Sequence, residues 1–522
     1  MFLVVFVSLT IIWFPNSPEL QPVPGRDSGV FLYTASRLID GDIPYRDAWD
    51  HKGPMIFFTN AVGLFFTDSR WGVWAIEVFT LAIAILLGFY LMRKVFPLTP
   101  TLAGVIAFVS AIPQISAGGN KTEQYVILLQ LIALFVFQNQ DFENQGHSWR
   151  NWILGSTMAI AFLFQGNLVM TWVVIALLII GHRVYTRQSR ALLIQGVEFA
   201  SGFLVVIVPV LLFFWMHGSF KLFLSAVFEY NLVYSTTSDW SDRIISPLYG
   251  FRALSGSGIA FIGFVAWLMA INSSFSFSGR KLYDPQFRLI LFAVFALPLE
   301  ALASSLSGQS WNHYFLTWLP SLMILTTFFI NLLLNALGTT DKFEKTRVFP
   351  FISPKEVLGY MIILTMVLQG LGLWFVNDFA KGILFKEDKD ATVTYIEKNT
   401  KEGDFVLIWG AETKYNFVAE RLSPTRFNYQ YALLREGYSN VGLIRDFVEE
   451  LESNPPIMII DSSPSNPVFP PLDSNQRSTW TNVSTVYKPI PELASFFSFV
   501  ENNYSAVDTI KPNNWIVYSR LP

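Results

Sequence analysis

Apolar residues gather in long blocks along this chain, and polar ones return between them at short, regular intervals. Apolar runs fall at 71–92, 99–113, 122–138, 151–165, 168–182, 192–216, 253–271, 289–303, 314–335 and 357–376. Met1 to Phe14 is a further run. It lacks a basic leader and a small-residue cleavage site, so it reads as the end of a first span rather than a signal peptide. A straight helix needs about 20 apolar residues to cross a bilayer. Several runs are shorter, and tilt, re-entrant ends and the Gln165-Gly166-Asn167 break account for them. The pattern predicts about eleven transmembrane helices.

Two segments have a different rhythm. Residues 29–40 place Val30, Phe31, Tyr33, Thr34 and Leu38 at helical spacing, which predicts an amphipathic helix too short to span and lying in the interface. Residues 54–66 read as a second such segment or a half-span. From about 389 the blocks give way to short β runs alternating with amphipathic stretches. Helices are expected at 391–398, 441–453 and 493–501, with strands at 405–409, 457–461 and 515–518. Strands alternating with helices indicate a small α/β domain. The fold class is therefore a mostly α, polytopic membrane protein with interfacial helices and a soluble C-terminal α/β domain. The expected domains are 1–380 and 381–522.

Composition agrees. The chain has 522 residues, 52% of them hydrophobic, with 49 Phe and 16 Trp, and its mean hydropathy is +0.41. A net charge of −3 leaves no global basic field for nucleic acid. The absence of cysteine excludes disulfides, thiolate zinc sites and Cys nucleophiles. No G-x-G-x-x-G follows the first strand of the tail, so a dinucleotide site has no support.

Against a background of only 14% charged residues, Gly25–Pro54 is crowded with Asp27, Arg37, Asp40, Asp42, Arg46, Asp47, Asp50, His51 and Lys52. Desolvating such groups beside a bilayer without a use for them is costly. Basic residues set the orientation. With a cytoplasmic N-terminus, inner loops carry Arg93, Lys94, Arg150, Arg183, Arg187, Arg190, Arg280, Lys281, Arg288, Lys342, Lys345, Arg347 and Lys355. Gly25–Pro54, the loops 114–121, 217–250 and 304–313, and the tail then share the outer face.

Asp27 reads either as an N-cap for the interfacial helix or as a general base at the membrane surface. Lys52 is either a lysine snorkelling at a span end or a cation for a lipid phosphate. Glu123 suits a helix N-terminus through the helix dipole. Tyr230, Asn231 and Tyr234 mark the 217–250 loop. His313 and Tyr314 open a late span, where an aromatic belt is the plain alternative.

In this order the features resemble the GT-C superfamily of integral-membrane glycosyltransferases, in particular its protein O-mannosyltransferase and aminoarabinose transferase branch. Asp27 matches the acidic position of the first outer loop. His51-Lys52-Gly53-Pro54 matches the lysine motif closing that loop, with Gly53 in place of its first proline. Thr122-Glu123-Gln124-Tyr125 is similar to the second acidic motif, and Asn312-His313-Tyr314-Phe315 before Leu319-Pro320 to the His-Tyr motif. The tail resembles the outer domain of bacterial members. Departures are Ser28-Gly29 after Asp27, His51 where some relatives have glutamate, and Gln165 where bacterial members often carry a lysine.

The resemblance implies inverting transfer of a sugar from a polyprenyl-phosphate donor to a hydroxyl of an unidentified lipid, glycan or protein acceptor at the outer face of the cell membrane. Asp27 would be the base, with Lys52 and His313 on the donor phosphate. Arg26, Tyr33, His51, Glu123, Tyr230, Asn231 and Tyr314 would contact substrate. A divalent metal, if used, would find oxygen and nitrogen donors in Asp27, His51, Glu123 and His313. A flippase for lipid-linked sugars and a non-catalytic scaffold are the alternatives, although no paired halves of the kind common in transporters are visible.

Overall fold

The structure is a computed structural model and describes residues 2–143, 148–236, 238–276, 282–338, 354–375 and 390–522. The basic residues Arg280, Lys281, Lys342, Lys345 and Arg347 and the domain boundary at 380/381 lie outside the described residues. The chain forms two compact units: Met1–Asn16, Ala75–Val210 and Asp239–Leu384 make one, and Ser17–Trp74, Leu211–Ser238 and Phe385–Pro522 the other.

A helix forms at every apolar run. Phe2–Trp13, Arg70–Arg93, Leu98–Ile115, Thr122–Gln138, Trp149–Phe164, Met170–Tyr185, Ser189–Met216, Ile259–Ser276, Pro285–Ser305, Leu319–Gly338 and Pro354–Trp374 follow in order. Among the described residues, five helices are long and apolar enough to cross a membrane, or six if Trp240–Ser255 and Ile259–Asn272, bent by 117°, are one broken span. The 17 residues of Thr122–Gln138 and the 16 of Met170–Tyr185 fall short, because at 1.5 Å per residue they cover about 25 Å of a hydrocarbon core of about 30 Å. The protein is a multi-pass membrane protein.

In the helical unit, small residues allow close approach. A Cβ on Gly155 would overlap the Phe199 carbonyl oxygen, and one on Gly202 the Trp152 backbone. Helices Trp149–Phe164 and Ser189–Met216 therefore meet backbone to backbone. Ser156 Oγ also donates to the Gly202 carbonyl at 3.0 Å. The outer side of Ser189–Met216 stays apolar, with Leu193 69% and Val205 61% exposed, as a lipid-facing helix requires.

Arg288 is 4% exposed. Its Nη1 donates to the carbonyls of Phe137, Gln138 and Gln140 at 2.9, 2.7 and 3.2 Å, and its Nε to that of Leu282 at 2.7 Å. These include carbonyls that helix Thr122–Gln138 leaves open at its end. Arg183, fully buried, donates to the carbonyls of Phe142 and Asp141. Both arginines fall in the inner loops of the charge pattern, and both tie off backbone inside the helical unit.

The other unit joins three separated segments. Its sheet has the order β1-β2-β4-β3, with β1 Val406–Trp409, β2 Met458–Asp461, β3 Tyr504–Ile510 and β4 Trp515–Arg520. β1 and β2 run parallel, and the remaining pairs are antiparallel. Val406, Ile408, Met458, Ile460 and Val517 pack on Val393 and Ile396 of helix Ala391–Asn399 and on Tyr415. Trp409 packs on Phe447 of helix Val441–Ser453 and Phe496 of helix Ala494–Asn503, with centroids 6.3 and 4.6 Å apart. The expected helices and strands of the tail are all present. β3 is the addition: its interior is exposed throughout, so no alternation of burial announces it, and only pairing with β4 makes it a strand.

The first-loop helix runs from Arg26 to Ile39 and is followed by helix Met55–Thr67. Its apolar face forms a core of Leu32 and Ala35 with Leu64 and Val73. Gly29 lies against helix Lys414–Val418, where a Cβ would overlap the Cα and Cβ of Lys414. Residues 28–35 are all buried. Protein from the tail thus covers part of a helix expected to lie against lipid.

Candidate functional site

Asp27 lies in the first turn of its helix, and the N-cap is Gly25. The N-cap reading is thereby corrected: the chain enters the helix earlier than the apolar spacing indicated. The dipole at this end favours a carboxylate. Its neighbour Arg26 turns to the tail, pairing with Glu412 through Nε at 2.9 Å and through Nη2, while Nη1 reaches the Tyr431 hydroxyl at 3.3 Å. Burial opposes the guanidinium charge, but Glu412 outweighs it and the pKa of Arg26 rises. Tyr33 is a second tie, its hydroxyl accepting from the Ser423 N–H at 2.8 Å. Burial pushes the Tyr33 phenol up to about 12.

The lysine motif is held from two sides. Tyr45, at φ 70° and fully buried among Phe57, Phe214 and Phe223, donates its hydroxyl to the Lys52 carbonyl at 2.8 Å. Asn231 Nδ2 donates to the His51 carbonyl at 2.7 Å. Lys52 itself is 8% exposed. His51 faces Tyr230 at 5.0 Å, Tyr234 at 6.2 Å and Tyr429 at 6.4 Å, the last two nearly parallel to it. Burial first, then the charges of Asp27 and Asp50, raise the Tyr429 hydroxyl well above its ordinary pKa.

Arg26, Asp27, Tyr33, His51, Lys52, Tyr230 and Asn231 thus share one unit. Asp50, Glu412, Tyr429, Tyr431 and Arg435 join them there without having been singled out. Asp50 had a signal in the crowded loop; the tail residues had none, because loops show no period.

Glu123, His313 and Tyr314 belong to the helical unit. The loop before Glu123 turns through Ala117, Gly118, Gly119 and Asn120, all at positive φ. The Asn120 N–H donates to buried Glu77, which also receives Trp13 Nε1 at 3.4 Å. Glu123 then falls in the first turn of Thr122–Gln138, as expected, and its Oε2 accepts from Thr122 Oγ1 at 3.0 Å. Glu123, Asn167, Glu300, Tyr314 and Thr317 line one narrow crevice. His313 meets the Tyr314 ring edge-on at 4.9 Å. Glu300, 1% exposed, accepts from Thr171 Oγ1 at 3.0 Å and Gln130 Nε2 at 3.1 Å. A lone carboxylate within the apolar run 289–303 was its sequence signal. Among the described residues, no group of three His, Cys, Asp or Glu is placed to hold a metal ion. The four metal candidates divide between the units, and no step is assigned to a metal.

No protein-family model and no curated protein matches the sequence. Solved structures do match. ArnT from Cupriavidus metallidurans bound to undecaprenyl phosphate superposes with a TM-score of 0.60 at 12% identity, over 99% of this chain and 98% of that one. The oligosaccharyltransferase AglB from Archaeoglobus fulgidus, in complex with an inhibitory peptide and a dolichol-phosphate, superposes with a TM-score of 0.51 at 12% identity, over 100% of this chain and 74% of that one. Both belong to the GT-C superfamily, and over nearly its whole length this chain has their fold.

Proposed function

We propose that this protein is a glycosyltransferase that moves a sugar from a polyprenyl phosphate to an acceptor hydroxyl, with inversion, at the outer face of the cell membrane. The observation that carries the reading is the end-to-end match to ArnT, a protein whose structure holds undecaprenyl phosphate. Residues 1–380 would form the membrane catalytic part and 381–522 an outer domain.

In this reading the acceptor oxygen attacks the anomeric carbon as the bond from that carbon to the phosphate oxygen breaks. Asp27 takes the acceptor proton, and polyprenyl phosphate leaves with the bonding electrons. Lys52 neutralises the charge growing on the phosphate, the kind of electrostatic effect that usually dominates such transfers. His313 is a further candidate for the phosphate, and Glu123 and Tyr314 for orienting hydroxyls. Arg26 and Tyr33 act by holding the Asp27 helix to the tail. Arg26 pairs with Glu412, and Arg37 with Asp40 and Asp42.

The test offers a panel of radiolabelled polyprenyl-phosphate sugars to reconstituted wild type and Asp27→Asn, scoring release of polyprenyl phosphate. Turnover by wild type, reduced at least about a hundredfold in the variant, is the expected result. Equal turnover would remove Asp27 as base. A donor that crosses the bilayer unchanged would replace the transferase with a flippase.

A further inference from the structure

Rings from three distant stretches of chain meet beside the lysine motif. Trp49 and His51 come from the first loop, Tyr230 and Tyr234 from the 217–250 loop, and Tyr429 from the tail. Tyr230 and Tyr234 lie at 18° and 6.3 Å, and His51 is within 28° of parallel to both Tyr234 and Tyr429. Trp49 supports Tyr230 edge-on at 5.1 Å. Tyr230 is 1% exposed, whereas His51, Tyr234 and Tyr429 are only half-buried. The rings form a wall, with Arg435 over the Tyr234 ring at 4.8 Å, and three of its members are not fully buried.

Several buried polar atoms of residues adjoining these rings in the chain find no hydrogen-bond partner within the protein. Asp50 is 2% exposed and its Oδ2 accepts none. Asn428, immediately before Tyr429 and also 2% exposed, has both amide atoms unmatched. His51 Nδ1 stands 3.1 Å from Asp50 Oδ1 without hydrogen-bond geometry. Buried polar groups are ordinarily satisfied, so orphans beside a half-buried wall call for a ligand with hydroxyls. A pyranose fits this chemistry: its C–H face suits an aromatic face, whose quadrupole is negative, and its rim hydroxyls both donate and accept.

We propose that Tyr429, with His51 and Tyr234, forms a pyranose-binding platform and that Tyr429 is a sugar-positioning residue supplied by the tail. The assignment of that pyranose to the lipid-linked donor rests on the glycosyl-transfer reading above; the platform itself does not.

The experiment measures binding to the full-length protein in nanodiscs. The probes are undecaprenyl phosphate, a panel of undecaprenyl-phosphoryl hexoses, and the methyl glycosides of the same hexoses. Wild type is expected to bind one sugar-bearing lipid more tightly than the bare phosphate. Tyr429→Leu, which keeps apolar volume but loses the ring, should reduce that increment about threefold to tenfold and leave bare-phosphate affinity unchanged. Tyr429→Phe should retain most of the increment, which separates loss of the ring from misfolding. Loss of methyl-glycoside binding alone, with the lipid increment intact, would place the acceptor's sugar on the platform. If no lipid binds, the transfer reading fails while the methyl-glycoside arm still decides the platform. Sugar binding by wild type and Tyr429→Leu that is equal throughout, or absent from every probe, overturns the proposal.

Discussion

Asp27 was conspicuous because a carboxylate stood beside apolar sequence, and Lys52 because a cation stood where a loop re-entered it. That kind of residue is legible: its cost in an apolar setting is visible from its neighbours in the chain. Tyr429 and Asn428 were not, since their importance comes from rings and orphaned amides brought in from other segments. Arg288 is a third case, a basic residue that looked like an orientation signal and serves as a backbone cap. Arg288→Ala would strip the carbonyls of Phe137, Gln138 and Gln140 of their shared donor. The Phe137 carbonyl keeps the Gln140 N–H, but those of Gln138 and Gln140 lose this donor in a buried setting, and the expected loss is about 3 kcal/mol. A lower unfolding temperature in detergent would register it, and a melting curve equal to wild type would refute the capping role.

Elements were legible where a period was strong. The apolar blocks and the amphipathic helix Val441–Ser453 fall where the spacing put them. Helix Arg26–Ile39 began earlier than expected because its first turn, Arg26 to Ser28, is polar, and β3 was missed because an exposed edge strand needs no apolar alternation. Packing between elements is written in small residues. Gly202 sits against the Trp152 backbone with no room for a Cβ. Gly202→Leu should force helices Trp149–Phe164 and Ser189–Met216 apart at a cost of about 3 kcal/mol, read as loss of monodisperse protein on size exclusion. Gly196→Leu, where a Cβ would have open space, is the control and should behave as wild type.

At the scale of the whole molecule, the unit that carries Asp27 is built from three segments separated by the helices of the other unit. Tyrosines from two of those segments, Tyr33 and Tyr230, share raised pKa values caused first by burial. The sign follows from linkage. The unfolded phenols release protons near pH 10, the folded ones later, so stability is full below pH 10 and falls as pH climbs. For Tyr33 the window runs from the ordinary phenol value of 10.0 to about 12. Each such tyrosine should remove about 1.4 kcal/mol per pH unit within its window. Absorbance at the tyrosinate band should therefore rise late and together with loss of ellipticity. Smooth ionisation near pH 10 with the fold intact would contradict this burial.

The sequence by itself determined that the chain is a membrane protein of many helices with an α/β tail, and it pointed to Asp27, Lys52, Glu123 and His313 as chemistry. The first follows from local quantities, namely apolar length and periodicity, and the second from the crowding of charge beside apolar sequence together with the family resemblance. Only the tertiary structure decided that Arg26 is held by Glu412, that Tyr33 meets Ser423, and that His51, Tyr234 and Tyr429 share one wall. Such contacts join residues hundreds of positions apart, and no local pattern in a chain records which distant loop will close over it.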